Sequence, residues 1–341
     1  MCVDRDERQP GDRRDSIDRR SLLRAAAASV ALSALGPSWL AAASSARSLE
    51  ADDRYLDAAR KAERWIARAA IRDERGITWP ADPLDPKTVQ NNLYSGSPGV
   101  LLFYLELHRA TGDAALLETA RGAADYLIAT LPNRGAPLRD EDAGLYTGIA
   151  GVAYALALTA DATRDAKYER AVRHIGTLLR EGLVAKGAGA AWNDSNDIIS
   201  GSSGVLLALL WLEGRDPAWR DWRDAEPRVV RALVDAGTAE HGGLKWGAGP
   251  ALPRRYPNFS HGTAGVGYAL ATFAERDPRS EVSKDALAAA LAGATYLDAI
   301  ATDMPDGGRK IFHDEPGGEQ LYYLSWCHGP AGTSRFYQRL A

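Results

Sequence analysis

The chain has 341 residues, of which 45% are hydrophobic and 25% are charged, and its formal net charge is −4. This is the composition of an ordinary soluble globular protein, long enough for one large core or two small ones. The slight excess of acidic residues gives no basic face, which excludes nucleic acid as a partner.

The first 46 residues form a separate segment. Arg19-Arg20-Ser21-Leu22-Leu23 is a twin-arginine pattern, and an uncharged stretch rich in Ala, Ser and Leu follows from Ala25 to Ala46. We interpret residues 1–46 as a cleaved export signal of twin-arginine type. The mature protein, residues 47–341, would then be periplasmic or extracellular, without stable membrane insertion. An uncleaved anchor is the alternative, because the 22 uncharged residues are enough to span a bilayer.

A motif of the form Gly-x-x-Gly, followed by an apolar run, occurs five times. The glycine pairs are Gly96 and Gly99, Gly148 and Gly151, Gly201 and Gly204, Gly262 and Gly265, and Gly329 and Gly332. The first glycines of successive pairs lie 52 to 67 residues apart, which suits a helical hairpin with a long connecting loop. The runs after the first four pairs are apolar on nearly every face, which indicates buried helices.

Segments with charges at helical spacing alternate with these runs, at residues 52–72, 114–131, 167–183, 228–238 and 282–301. We expect them to form partly solvated outer helices. Alternating buried and half-exposed helices pack best as two concentric rings, so the predicted fold is an all-α, α/α toroid. All inner helices would begin at one rim, where unpaired backbone N–H groups and the helix dipole favour anions and thiolates.

An isolated aromatic residue lies 9 to 17 residues before four of the glycine pairs. These residues are Trp79, Trp192, Trp246 and Phe312, and each follows a short stretch with glycine, alanine or a basic residue. Such stretches are typical of extended loops with a short strand or two. We expect these loops to lie over the rim at which the inner helices begin.

Residues able to do chemistry cluster in the last three turns. Asp197 lies four residues before the third glycine pair, His261 directly precedes the fourth, and Cys327 and His328 directly precede the fifth. If the copies superimpose, all of them face one cavity. Each also has a plain structural interpretation, since His261 and Asp197 could cap their helices and Cys327 could be a core residue. The other histidines lie outside the turns and are interpreted as surface or loop residues: His108, His174, His241 and His313.

These motifs resemble those of the lanthionine synthetase C-like (LanC-like) proteins, which are zinc-bearing α/α toroids of seven hairpins. The resemblance covers about Asp52 to Ala341, and residues 196–204, 260–265 and 325–329 are similar to the third, fourth and fifth family motifs. It implies that Cys327 is a zinc ligand and that His261 and Asp197 are active-site residues. His328 has no ligand role in the corresponding family motif.

The resemblance also implies a reaction between a thiol and a dehydrated peptide. Zinc with sulfur and nitrogen ligands and one open position binds a thiol and lowers its pKa. The thiolate would add to the β-carbon of a dehydroalanine or dehydrobutyrine residue. His261 would protonate the resulting enolate, and Asp197 would orient the histidine ring.

Two departures from the family pattern bear on this interpretation. The family's sixth motif, whose Cys-His pair supplies the remaining zinc ligands, has no counterpart before Ala341. We therefore expect the sequence to be a fragment with five of seven repeats, the alternative being a natural pseudoenzyme with an open groove. Tyr323 stands where bacterial cyclases carry a basic residue.

Two other functions stay open at this stage. Some carbohydrate-active enzymes also have the α/α toroid fold. In that case Trp79, Trp192 and Trp246 would stack on sugars, and Asp194 and Asp197 would be the pair of catalytic acids. The third possibility is a module that binds a peptide without chemistry. The sequence does not indicate an oligomeric state.

Overall fold

The structure is a computed structural model that describes residues 53–139, 142–249 and 254–341. The predicted export signal, residues 1–46, lies outside the described residues. The chain divides into two units, Met1–Arg60 and Lys61–Ala341. In the first unit the structure describes the beginning of helix α1 (Asp53–Arg68), and the account below concerns the second.

Two layers of helices alternate along the second unit, as predicted. The inner helices begin at the glycine turns and are α2 (Ser97–Thr111), α4 (Ile149–Thr163), α6 (Ser202–Arg215), α8 (Thr263–Ala274) and α10 (Pro330–Leu340). The outer helices that follow the first four of them are α3 (Ala114–Ala129), α5 (Ala166–Glu181), α7 (Glu226–Asp235) and α9 (Glu281–Ile300). Each of the first four inner helices packs against the next inner helix and against the outer helix that follows it.

Short antiparallel hairpins join outer helices to the next turn. They are formed by β1 (Ile71–Asp73) with β2 (Gly76–Thr78), β3 (Pro80–Asp82) with β4 (Asp85–Val89), β5 (Val184–Lys186) with β6 (Gly189–Ala191), β7 (Thr238–Glu240) with β8 (Gly243–Lys245), and β9 (Thr302–Asp303) with β10 (Arg309–Lys310). A 3-10 helix, Pro217–Asp224, precedes α7.

Three of the hairpins lie on outer helices, a contact that the sequence did not predict. Strands β2, β6 and β8 pack against α3, α7 and α9. The first residue of each of these strands is a glycine whose added Cβ would lie 2.2 to 2.3 Å from a helix carbonyl oxygen: Gly76, Gly189 and Gly243. Glycine therefore lets each hairpin rest directly on the helix backbone.

Three buried tryptophans tie the hairpins to the preceding outer helices. Their indole Nε1 groups donate to the carbonyls of Ile66, Leu179 and Leu233 at 3.0, 2.7 and 2.7 Å, from Trp79, Trp192 and Trp246 respectively. The exposed fractions of these tryptophans are 4%, 7% and 0%. They are structural and do not offer the sugar-stacking surface that the carbohydrate interpretation requires.

The inner helices begin with amides that are already hydrogen-bonded. The first helical N–H of α2, α4, α6 and α8 donates to a carbonyl seven residues upstream, at 2.7 to 3.3 Å. This corrects the expectation of unpaired amides at the rim, because each turn folds back on the loop before it. The second glycine of each pair permits this fold: at Gly204, Gly265 and Gly332 a Cβ would lie 2.0 Å from the carbonyl oxygen six residues upstream.

Backbone hydrogen bonds also connect successive turns around the rim. The N–H of Tyr94 donates to Tyr146 O at 3.0 Å, and the N–H of Tyr146 donates to Ile199 O at 2.9 Å. Farther along, the N–H of Ile198 donates to Ser260 O at 3.2 Å, and that of Ser260 donates to Cys327 O at 3.0 Å. Turns more than fifty residues apart in sequence thus share one rim.

Helix packing inside the unit relies on small residues. Gly267 of α8 faces the ring of Phe336 of α10, where an added Cβ would lie 2.5 Å from a ring carbon. Phe336 is completely buried by this contact and its neighbours. Among the described residues, no helix combines the length and the apolarity needed to cross a membrane.

Candidate functional site

Asp197 and His261 form a hydrogen-bonded pair where the third and fourth turns meet. Nδ1 of His261 lies 2.5 Å from Oδ2 of Asp197. The carboxylate is fully buried, whereas 26% of the histidine side chain is exposed. Because a carboxylate accepts only, the Nδ1 atom of His261 carries the proton, and Nε2 is left to exchange protons with a substrate.

The turn itself holds the Asp197 carboxylate in place. Its Oδ1 accepts the backbone N–H groups of Ser200 and Gly201, both at 2.8 Å. Asp197 thus closes its own turn with one oxygen and orients His261 with the other. The helix-capping interpretation of His261 is wrong, because the N-cap of α8 is Gly262 and has no side-chain cap.

Cys327 lies half-buried in the fifth turn, where its carbonyl accepts the N–H of Ser260. The adjacent Trp326 ring contacts Tyr146 of the second turn at 5.6 Å and Phe259 of the fourth turn at 5.3 Å between centroids. Burial raises the pKa of the Tyr146 hydroxyl, and the charge of a Cys327 thiolate also raises it. The second, fourth and fifth turns therefore meet at Cys327.

A complete zinc site is not formed by the residues that the structure describes. Among them, no group of three or more His, Cys, Asp or Glu side chains is arranged to hold a metal ion. Cys327, the ligand that the family resemblance implies, belongs to no such group.

A cluster of rings around Tyr256 was missed by sequence reasoning. The Tyr256 ring centroid lies 5.8 Å from that of His261, 5.5 Å from that of His313 and 5.2 Å from that of His328. His328 also contacts His261 at 5.8 Å and His313 at 4.3 Å between centroids. Burial, reinforced by the other two histidines, lowers the pKa of His328 to about 4, so its ring is neutral at neutral pH.

His313 lies in a loop, as one of the two alternatives predicted, but it is not a surface residue, since only 17% of its side chain is exposed. Its Nδ1 lies 2.7 Å from Oδ1 of Asp314, which is completely buried. A positional signal for this pair exists in the sequence. His313 and Asp314 directly follow the aromatic residue of their repeat, as Asn193 and Asp194 follow Trp192.

A cavity of about 1030 Å³ lies among the inner helices. Tyr146 and Leu93 line its rim end, and residues such as Tyr154, Trp211 and Tyr268 line its walls. Neither Asp197 nor His261 lines this cavity.

The model of the lanthionine synthetase C-like protein family matches residues 87–341, a range that includes all five glycine turns. The chain belongs to the lanthionine synthetase C-like family. Nisin cyclase is a similar solved structure, with 18% sequence identity and a TM-score of 0.57 over 84% of this chain and 70% of that protein. This likeness confirms the predicted α/α toroid for the LanC-like chain.

Two sugar-active proteins have weaker structural likeness to this LanC-like chain. Cellobiose 2-epimerase from Bacillus thermoamylovorans is 14% identical with a TM-score of 0.49, over 84% of this chain and 81% of that one. An alpha-1,6-mannanase from Salegentibacter is 15% identical with a TM-score of 0.44, over 70% of each chain. Likeness of this degree carries no argument about activity. A search of curated protein sequences found no significant match.

Proposed function

We propose that this LanC-like protein adds a thiol to a dehydroalanine or dehydrobutyrine residue of a peptide and so forms a thioether. The observation that carries the proposal is the His261 ring held by the buried carboxylate of Asp197, with 26% of its side chain exposed at the rim. An imidazole can both accept and donate a proton, which general acid–base catalysis requires.

The proposed reaction needs one proton at a defined atom. The thiolate sulfur bonds to the β-carbon, and the Cα=Cβ electron pair moves toward the carbonyl oxygen to form an enolate. Protonated His261 then delivers its Nε2 proton to the α-carbon. The negative charge of Asp197 stabilises the imidazolium before the transfer, and proton transfer of this kind contributes about 10²–10⁴-fold to a rate.

Zinc belongs to the proposal as a partner of Cys327. Such a site would need two further ligands from outside the residues that the structure describes. Metal analysis of the purified protein tests this point. Stoichiometric zinc that is lost in Cys327→Ala would support it, and a wild-type protein without zinc would contradict it.

We also propose that residues 1–46 direct the protein out of the cytoplasm. The twin-arginine pattern and the uncharged stretch after it support this proposal. Intact mass of the protein recovered from the host would place the mature N-terminus near Ser44 or Arg47. A full-length chain in the cytoplasm would contradict it.

The catalytic proposal is tested with a dehydroalanine peptide and a thiol, by mass spectrometry of the adduct. His261→Gln and Asp197→Asn are each expected to lower the rate of addition by about 10²–10⁴-fold. The carbonyl oxygen of Asn can still accept the N–H groups of Ser200 and Gly201, so Asp197→Asn should remain folded. His108→Gln is the matched control, because His108 lies near the end of α2 far from the turn.

Normal rates in both His261→Gln and Asp197→Asn would contradict the proposal. A wild-type protein that binds the peptide but never forms the adduct would instead support the non-catalytic, peptide-binding alternative. Thermal unfolding of every variant shows whether a lost rate reflects lost folding.

A further inference from the structure

A second imidazole–carboxylate pair, His313 with Asp314, lies beside the first one. Nδ1 of His313 is 2.7 Å from Oδ1 of Asp314, so Nε2 is the nitrogen that remains for a substrate, as in His261. Both histidine rings contact the same two neighbours, Tyr256 and His328. The two pairs therefore border one small region of the rim.

The Asp314 carboxylate is buried beside one cationic side chain. Its side chain is completely buried, and Oδ2 lies 3.1 Å from Nη1 of Arg254. The backbone of Gly318 lies so close that an added Cβ there would be 1.6 Å from Oδ1. The hydrogen bond to this buried carboxylate fixes the orientation of the His313 ring and its tautomer, with the proton on Nδ1.

The segment that carries this pair is anchored on both sides. The carbonyl of Phe312 accepts the side-chain N–H of Asn258 at 2.8 Å, and the N–H of His313 donates to Leu321 O at 2.8 Å. Arg255 and Glu315 exchange two backbone hydrogen bonds of 2.9 Å. The His313 ring also packs on Tyr323 at 4.7 Å between centroids. The imidazole is thus preorganised, which is typical of a group that acts in catalysis.

We propose that His313, oriented by Asp314, is the general base that takes the proton from the incoming thiol, while His261 is the acid that protonates the α-carbon. This inference rests on the proposed function and assigns a separate group to its first step. The structure offers two imidazole–carboxylate pairs that border the same region, and thiol addition needs one proton removed from sulfur and one delivered to carbon.

The protons and electrons of this scheme balance. The S–H proton moves to Nε2 of His313, and the sulfur electron pair forms the C–S bond at the β-carbon. The Cα=Cβ electron pair becomes the enolate and then forms the C–H bond with the proton from His261. Solvent afterwards removes the proton from His313 and restores that of His261. The net change is the addition of S–H across the double bond.

The test compares two thiols with the same dehydroalanine peptide. An alkyl thiol is largely protonated at pH 7 and needs a base, whereas 2-nitro-5-thiobenzoate is already ionised and needs none. His313→Gln is expected to slow addition of the alkyl thiol by about 10²–10⁴-fold and to change addition of the aromatic thiolate by less than about threefold. His261→Gln is expected to slow both reactions, because both need the carbon protonated.

Asp314→Asn keeps the imidazole and should give the same selectivity between thiols with a smaller loss. Asp314→Asn also tests the inference if the His313→Gln variant does not fold. His108→Gln is again the control. Equal slowing of both thiols in the folded His313 and Asp314 variants would indicate a structural role and overturn the inference, as would normal rates with both.

The outcome separates this inference from the proposed function. If His261→Gln is inactive while His313→Gln is normal, the inference fails and the proposed function stands. If the wild-type protein adds neither thiol, the proposed function fails and the base assignment falls with it.

Discussion

Lys245, at the end of β8, joins two carboxylates near the loop of His313. Its side chain is only 10% exposed, and Nζ pairs with Oε1 of Glu315 at 2.9 Å and with Glu240. The same Glu315 oxygen accepts the hydroxyl of Tyr296 at 3.0 Å. One lysine thus connects the β7–β8 hairpin with the segment after Asp314. Removal of its charge would leave two carboxylates without their cation.

Lys245→Met is expected to lower the free energy of unfolding at pH 7 by about 2–3 kcal/mol, because one partner of a partly buried ion pair is removed. It should also reduce acid sensitivity. The hydrogen bond with Lys245 holds the pKa of Glu240 below its ordinary value of 4.5. This contribution to wild-type stability is therefore present above pH 4.5 and is lost as the pH falls through the folded-state pKa.

Chemical unfolding between pH 3 and 7 measures both effects. The wild-type protein should lose more stability on acidification than Lys245→Met does. Lys284→Met is the matched control, because Lys284 pairs with Glu281 on an exposed surface where 56% and 83% of the side chains are accessible. Parallel pH curves for Lys245→Met and wild type would contradict the assignment.

Residues of the site differ in how far the sequence could reveal them. Asp197 and His261 stand at fixed positions before glycine pairs, so their placement at the rim was predictable from the repeat. His313 lies in no glycine turn, and its ring contacts Tyr256, which is 57 residues earlier in the chain, and His328 of the fifth turn. Asp314 is buried against the backbone of Gly318, and no periodic pattern in the sequence indicates this contact.

At the scale of the secondary-structure elements, glycine in the turns is required by close backbone packing and not by a positive φ angle. Gly262 has φ −147°, which any residue can adopt. The second glycine, Gly265, lies against the carbonyl of Phe259. An added methyl group would push this turn away from its own loop and disturb the segment that carries His261.

Gly265→Ala is therefore expected to destabilise the protein by about 3 kcal/mol, because its Cβ would lie 2.0 Å from Phe259 O. Gly214→Ala in α6 is the matched control, since no atom lies within 4 Å of the added Cβ. Alanine is the better helix former, so this control should leave stability unchanged or raise it by up to about 1 kcal/mol. Thermal and chemical unfolding measure both. Equal effects of the two substitutions would contradict the packing argument.

Helices were predictable as elements, and their ends were less so. The segment predicted at 114–131 is the helix Ala114–Ala129, and that predicted at 167–183 is Ala166–Glu181. The helix predicted at 52–72 ends at Arg68, because the chain turns into β1 at Ile71. Apolar periodicity specifies the body of a helix, whereas its end depends on the hairpin that packs against the next helix.

At the scale of the whole second unit, the backbone hydrogen bonds between turns make the rim one connected structure. The amides of Tyr146, Ile198 and Ser260 each donate to a neighbouring turn. Opening one turn removes an acceptor or a donor from the next. We therefore expect neighbouring turns of the rim to open cooperatively and not one at a time.

Hydrogen–deuterium exchange tests this cooperativity. In the wild-type protein the amides of Tyr146, Ile198 and Ser260 should be strongly protected, whereas those of the exposed β7–β8 turn at His241 and Gly242 should exchange quickly. Gly265→Ala should accelerate exchange at Ser260 and also at Ile198 in the preceding turn. Acceleration confined to the fourth turn would show that the turns open independently.

The sequence by itself determined the repeat, the alternation of inner and outer helices, and the positions of Asp197 and His261, because glycine spacing and apolar periodicity are local properties of the chain. Only the tertiary structure decided which groups meet. Asp197 and His261 are 64 residues apart in sequence and become a pair through hydrogen bonds between their turns. The same packing linked the backbones of successive turns around the rim and brought His261 beside His328, because contact between distant segments arises only when the helices are packed together.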